Sequence, residues 1–369
     1  MTQTLSPTLD STEYAPYVDD DALARGMVEC PDAATDEELR PLVTRLCQFF
    51  QDLKLAQSEQ PAIFHPGGEW ADYLAEQQCH YASLVAGDVS AATEVFRHFW
   101  RNELGPVVKQ YATFQKLKTD EATRRRFVDL MAYDYMVWRH LIDDPTESLR
   151  VPAVGNPWGY QVDGVTVAPK AVRYSALAGQ IRNLTADVDR PVIAEIGAGY
   201  GGTAHYLLRG DAPMCYIDFD LPEVLTIAAY YLSRTLPHRR VLMWEPGMQL
   251  TAQTVADHDV ILMPNWMLAD APSATVDVFL NTFSLSEMPI EVLREYFSHI
   301  TRSTRGYFLH NNMDREGVEN RGHNRVPCSQ YPIDPASFKR LYKRYDLFQQ
   351  LHSGRDGDYR EELWQRIGS

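Results

Sequence analysis

The chain has no basic excess, no long apolar run and few cysteines, and each shortage closes off a class of function. Its 35 Lys and Arg face 50 Asp and Glu, a formal net charge of −15. A duplex-binding surface needs clustered cations to neutralise phosphates, so no nucleic-acid partner is expected. Arg124-Arg125-Arg126 and Arg239-Arg240 are short local clusters and read as solvated faces or loops. No stretch approaches the roughly 18 apolar residues of a membrane-crossing helix, so no membrane partner is expected either. The opening residues, MTQTLSPTLDSTEYAPYVDDD, have neither a basic start nor an apolar run, and no signal peptide is expected. Cys30, Cys47, Cys79, Cys215 and Cys328 stand apart, without CxxC pairs or His-rich neighbours. Their scatter argues against zinc and against a disulfide framework, and for a reducing, cytoplasmic setting. No metal is expected: Asp218, Asp220 and Glu223 are close in sequence, but no His/Asp/Glu set has convincing metal spacing, so Mg2+ lacks support.

What is present is an ordinary globular balance in a chain of 369 residues, longer than one small core usually organises, so two domains are expected. Residues 1–35 are polar and read as an extended, poorly ordered segment. Residues 36–150 carry helical periodicity and form a helical domain, an acceptor lid or a dimerisation surface. Leu39, Leu42, Val43, Leu46, Phe49, Phe50 and Leu53 mark one amphipathic helix. A second runs from about 90 to 118, with Gly105-Pro106 as a break. A third follows Asp120 as N-cap and turns Phe127, Leu130, Met131, Val137, Trp138 and Leu141 inward. Pro and Gly between 145 and 164 interrupt helix, and a short hairpin fits 162–167.

From 151 to 369 the texture becomes α/β. A helix over 173–184 leads to apolar strands at 191–196, 214–219, 260–263, 277–280 and 306–309, alternating with helices at 202–208, 222–236 and 290–300. That alternation predicts a Rossmann-like, doubly wound, mostly parallel sheet with helices on both faces.

The most informative run is VIAEIGAGYGGTAHYLL, 192–208. A strand ends in Glu195, and Gly197, Gly199 and Gly201 let the chain turn sharply into a helix with a ligand pressed against the backbone. The spacing E-x-G-x-G-x-G differs from the dinucleotide pattern G-x-G-x-x-G. An acidic residue ahead of the glycines suits the ammonium end of S-adenosylmethionine, directly or through water. In MCYIDFDLPEV, Asp218 and Asp220 lie 17 and 19 residues beyond Gly201, and Asp220, last on its strand before Pro222, suits both ribose hydroxyls.

These residues resemble class I S-adenosylmethionine-dependent methyltransferases. EIGAGYGGTAHYLL, DLPE, NTFSLSEM (281–288) and YFLHNN (307–312) are similar to a bacterial sugar O-methyltransferase family, over roughly residues 155–315. The resemblance implies S-adenosylmethionine as donor and a hydroxyl on a sugar-like acceptor.

A hydroxyl acceptor must lose its proton, so a general base is sought at strand ends on the cofactor side. Glu287, beyond DVFLN, is one candidate, although Ser284 and Glu287 also have capping-box spacing. His310, at the end of GYFLH, is the other. Tyr200, Asn265 and Asn281 are candidate cofactor contacts, with Trp266 a further candidate for the adenine ring. Trp158, Arg173, Tyr174 and Asn311 are candidate acceptor contacts, Arg173 being suited to a phosphate. The expected function is methyl transfer to a hydroxyl of a small sugar-containing or natural-product acceptor. Two alternatives stand beside it: a C- or N-methyltransferase on a prenyl or nucleoside acceptor, and a non-catalytic ligand-binding protein of the same fold. A homo-oligomer is compatible with either.

Overall fold

The computed structural model describes residues 18–102, 110–320, 322–349 and 358–368, the side chains of 110–112, 319 and 320 excepted. The first 17 residues and the expected break at Gly105-Pro106 lie outside the described residues.

The N-terminal half is helical: α1 (Asp20–Gly26), α2 (Asp36–Ser58), α3 (Glu69–Glu76), α4 (Ala82–Ala86), α5 (Val89–Arg97), α6 (Gln110–Thr119) and α7 (Glu121–Leu141). α1 falls where only an extended segment was expected; Asp19 caps it by accepting from the Ala22 N–H. α2 begins at a capping box between Thr35 and Glu38 and buries Leu39, Val43, Leu46, Phe49, Phe50 and Leu53 at helical spacing. The Asp120 carboxylate accepts from Ala122 and Thr123 to start α7. Its inward face is as expected at Phe127, Met131, Val137 and Trp138, but Leu141 is 49% exposed because the helix ends there.

A hairpin, β1 (Tyr160–Val162) with β2 (Val165–Val167), precedes α8 (Ala171–Leu184). Then come β3 (Val192–Ile196), α9 (Gly202–Leu208), β4 (Cys215–Asp220), α10 (Pro222–Thr235), β5 (Val241–Met243), α11 (Ala252–Asp257), β6 (Val260–Pro264), β7 (Val276–Thr282), α12 (Ile290–Ser303) and β8 (Thr304–Met313). A small hairpin, β9 (Glu319–Asn320) with β10 (His323–Asn324), leads to β11 (Phe338–Tyr345) and β12 (Tyr359–Arg366).

Eight strands form one sheet in the order β11-β12-β8-β7-β3-β4-β6-β5. Strands β3 to β8 are parallel, and β12 pairs antiparallel with both β8 and β11. β3 and β4 are buried at every residue, as central strands covered on both faces must be. The fold is therefore the α/β, doubly wound, mostly parallel sheet with a helical N-terminal region. Beyond expectation are β5 at one edge and the C-terminal pair β11–β12 at the other.

The helical region is fastened to the sheet domain by partly buried polar contacts. Asp32 takes a bidentate pair from Arg234 at 2.9 and 3.0 Å, and Lys54 reaches Glu223 at 2.8 Å. The Gly159 N–H donates to the Gly26 carbonyl at 2.9 Å, and a Cβ on Gly159 would run into the Val167 carbonyl. Gly159→Ala should therefore lower the urea midpoint by the equivalent of about 1–3 kcal/mol, the usual cost of overpacking. An unchanged midpoint would show that this crossing of α1, β1 and β2 is loose.

Candidate functional site

Sequence order along the sheet reverses between β3 and β7, and open α/β sheets bind ligands beyond the carboxyl ends of the strands at such a switch point. There β3 gives way to the glycine turn. Gly197, Gly199 and Gly201 have φ of +73°, +66° and +85°, a backbone region side chains resist. A Cβ on Gly197 would strike the Ser284 hydroxyl, and one on Gly201 would lie 2.8 Å from Leu232. The Gly197 N–H donates to the Phe219 carbonyl at 3.0 Å, stitching the turn to the end of β4.

Three carboxyl groups gather beneath this turn. Glu195 and Asp218 are register partners on β3 and β4, and Asp220 follows on the same face two residues on. Desolvation pushes Glu195 up to about 7, against the Tyr216 and Thr282 hydroxyls and the Arg173 charge, which hold it down. Burial raises Asp218 strongly, helped by Asp220 and Glu195 and opposed by the Ala198 N–H. Burial also raises Asp220, opposed by backbone N–H groups: Leu221 donates to Oδ1 at 2.8 Å and Gly199 to Oδ2 at 3.3 Å. The buried cation that acts on them, Arg173, is itself paired with Asp346, an arrangement that favours a ligand supplying positive charge or hydroxyl donors.

The turn opens onto a cavity of about 310 Å³, at the lower end of the roughly 300–1,000 Å³ of small-molecule sites. Ile196, Gly197, Ala198, Gly199, Asp220 and Asn265 line it from the strand ends, and Glu287, Arg173 and Tyr174 from elsewhere in the sheet domain. The helical region closes it with Ile63, His65, Pro66, Gly67 and Trp70. The Trp70 indole N–H donates to Glu287 Oε2 at 2.7 Å. Arg325 lies 3.0 Å from Glu287 Oε1 and 2.7 Å from Glu69 Oε1, so one guanidinium joins the helical cap to the sheet domain. Arg173 is held by Asp346 at 2.8 Å and its guanidinium lies 3.7 Å over the Phe283 ring. Phe283 has φ +73°, a strained backbone secured by its N–H to the Asn311 carbonyl at 2.8 Å.

The structure thus brings Gly197, Gly199, Asp220, Asn265, Arg173, Tyr174 and Glu287 to one cavity, and leaves the other expected residues outside its lining. Ser284 makes no capping bond and Leu285–Glu287 is a single 3-10 turn, so the capping-box alternative for Glu287 is not realised. His310 is fully buried, its ring near Phe308 and Tyr331, with neither nitrogen hydrogen-bonded; burial depresses it to about 4. It faces the side of β8 shared with Asn281, away from Thr282 and Asn311. Asn281 is a structural bracket, donating to the Ile196 carbonyl at 2.8 Å and the Ser284 hydroxyl at 2.6 Å. Asn311 donates to Asp346 at 2.9 Å, behind Arg173. Tyr200 packs into an aromatic cluster with Trp100, Tyr174 and Tyr231. Trp158 is core, between Phe114 and Phe127, and Trp266 packs edge-on against Trp244. Glu195 and Gly201 stand behind the cavity wall. His65, Trp70, Arg325 and Tyr359 were not anticipated; the only signal for the first two was His-Pro-Gly-Gly-Glu-Trp, a turn in a helical region.

Among the described residues no group of three or more His, Cys, Asp or Glu could hold a metal ion, and no helix is long and apolar enough to cross a membrane. No protein-family model matches the chain, and no curated protein does. Solved structures share its general architecture. The [4+2]-cyclase SpnF is 17% identical, with a TM-score of 0.37 over 55% of this chain and 83% of that one. The Burkholderia thailandensis 1,6-didemethyltoxoflavin-N1-methyltransferase, with bound 1,6-didemethyltoxoflavin and S-adenosylhomocysteine, is 18% identical, with a TM-score of 0.34 over 53% and 79%. Geranyl diphosphate methyltransferase, in complex with GPP and sinefungin, is 14% identical, with a TM-score of 0.35 over 52% and 78%. Similarity at this level is one of fold alone, and the chemistry has to come from the residues of this chain.

Between pH 4.5 and 7 the folded chain keeps a proton on Glu195 that the unfolded chain has lost, so this group's contribution to stability falls as pH rises and is gone above 7. A shift from 4.5 to about 7 corresponds to about 3 kcal/mol. Unliganded Glu195→Gln should therefore match the wild type near pH 4.5 and exceed it by roughly 1–3 kcal/mol at pH 8 in denaturant melts. A constant difference across pH would contradict the burial argument.

Proposed function

We propose that the cavity binds S-adenosylmethionine and that the protein is a methyltransferase acting on a hydroxyl of a small, sugar-containing or natural-product acceptor. The observation that carries this reading is the E-x-G-x-G-x-G turn opening, together with the Asp220 carboxyl of the neighbouring strand, onto one cavity at the switch point.

The residues fit the donor. Gly197 and Gly199 present bare backbone to the cavity at positive φ, which side chains resist. The Asp220 oxygens keep lone pairs for ribose hydroxyls beyond the two N–H groups they already accept. Asn265 donates to the Phe64 carbonyl at 3.0 Å and sits beside the Tyr296 hydroxyl at 2.9 Å, while its buried Oδ1 has no partner. That orphaned acceptor suits the exocyclic amine of adenine. Glu195, one layer behind, adds negative potential towards the cationic end of the donor once it ionises, above about pH 7.

When bound, the donor supplies an electrophilic methyl group on a sulfonium. The chain has to hold an acceptor oxygen about 3–3.5 Å from that carbon and in line with the bond to be broken. Glu287 does the holding on the acceptor side, itself fixed by Trp70 and Arg325, and Ile63, His65, Pro66, Gly67 and Trp70 wall the cavity from the cap. Arg173, locked by Asp346 and Phe283, presents a guanidinium for an anionic group of the acceptor. Nothing is assigned to His310. The aromatic lining of Trp70, Phe283, Tyr296 and Tyr359 favours one second reading, methylation of nitrogen or carbon, where a developing cation meets ring faces.

Calorimetry with S-adenosylhomocysteine should show binding that Asp220→Ala weakens at least about tenfold, the loss of a charge-assisted pair. Labelled methyl from S-adenosylmethionine, offered to nucleotide sugars, nucleosides, glycosylated metabolites and prenyl diphosphates with and without Mg2+, should appear as base-stable label on a hydroxyl. Label on carbon or nitrogen selects the second reading. No binding and no transfer overturns the methyltransferase assignment.

A further inference from the structure

The methyl acceptor must surrender a proton, and the cavity offers few groups able to take it. Lys170, Arg173 and Arg325 are cations that only donate. Asp220 is engaged by the Leu221 and Gly199 N–H groups. Glu287 has one oxygen on the Trp70 indole at 2.7 Å and the other on Arg325 at 3.0 Å. Burial raises the phenols of Tyr174, Tyr296 and Tyr359, which stay protonated and act as donors.

His65 is the exception. It lines the cavity from the helical cap, beside Pro66 and Gly67 and five residues before Trp70. Its Nε2 lies 3.0 Å from the Gln60 carbonyl oxygen. A carbonyl can only accept, so Nε2 carries the hydrogen, and the neutral ring keeps its lone pair on Nδ1. The hydrogen bond that ties the ring to the cap thus selects the tautomer of a base.

We infer that His65 takes the acceptor proton at Nδ1 and that Glu287 positions the hydroxyl. This rests on the O-methyltransferase reading. The acceptor oxygen gives its proton to Nδ1 and an electron pair to the methyl carbon; the carbon–sulfur bond breaks and its pair returns to sulfur. The positive charge that began on the sulfonium ends on the imidazolium, and the Gln60 carbonyl, facing Nε2–H, stabilises it.

The test measures kcat, KM for the acceptor and S-adenosylhomocysteine affinity for the wild type, His65→Gln and His65→Ala. His65→Gln can still donate an N–H to Gln60 but cannot accept the proton. Expected are a fall in kcat of about 10²–10⁴ in both variants, S-adenosylhomocysteine affinity within about threefold of wild type, and partial recovery of His65→Ala by added imidazole. A merely structural clasp would not respond to imidazole. Wild-type kcat in His65→Gln, or equal losses of turnover and product binding without rescue, overturns the assignment while the cofactor reading stands. A wild type that fails to bind S-adenosylhomocysteine overturns both.

Discussion

Three carboxyl groups buried at the ends of two adjacent parallel strands set the terms for the rest of the site. Glu195, Asp218 and Asp220 share one face of β3 and β4, shielded by α/β packing, and burial is the main cause that lifts all three above the ordinary carboxylate range, with mutual repulsion adding to it for the two aspartates. What opposes this lift is limited to the hydroxyls of Tyr216 and Thr282, a few backbone N–H groups and the charge of Arg173, itself paired with Asp346. The arrangement resembles a socket whose electrostatic complement comes from outside. The glycine turn has the matching role: with backbone at φ values only glycine takes comfortably, it leaves that complement room to approach.

The second dependence runs between the two halves of the chain. Neither the sheet domain nor the helical region encloses the cavity alone. The sheet domain contributes Glu287 and Arg325; the cap contributes Trp70 to the first and Glu69 to the second. One guanidinium facing two carboxylates is a costly thing to bury unless every partner is present. Cap position and the geometry around Glu287 are therefore coupled, and a shift of α3 relative to Glu287 changes both.

Much of the architecture was legible because it is local. The three glycines, the strand before them and Pro222 at the head of α10 are features a short window contains, and the strands from β3 to β8 fell close to their expected places apart from the edge strand β5. What failed was information that only pairing supplies. His310 and Asn311 are neighbours in sequence, and nothing in YFLHNN says which faces the cofactor side; the register of β8 with β7 decides it, and turns His310 into the core. Tyr200 looked like a cofactor contact because it sits in the glycine loop, yet the aromatic cluster with Trp100 and Tyr231 offers its ring a better burial. His65 and Trp70 were hidden for a different reason. They line the cavity from a region whose periodicity speaks only of helices, and no short motif marks a residue that meets the sheet from so far away in sequence.

β12 follows β11 in the chain yet lies between it and β8 in the sheet. Tyr359 on that strand lines the cavity, and Glu361 gathers Gln180, Tyr342 and Arg344 beneath it. During synthesis, then, the glycine turn and its carboxyls emerge from the ribosome well before the wall that completes their pocket. β11 waits beside them with no sheet neighbour until its successor arrives. A polypeptide cut short ahead of β12 would carry the glycine turn and its carboxyls but lack Tyr359 in the cavity lining and the Glu361 carboxylate beneath it.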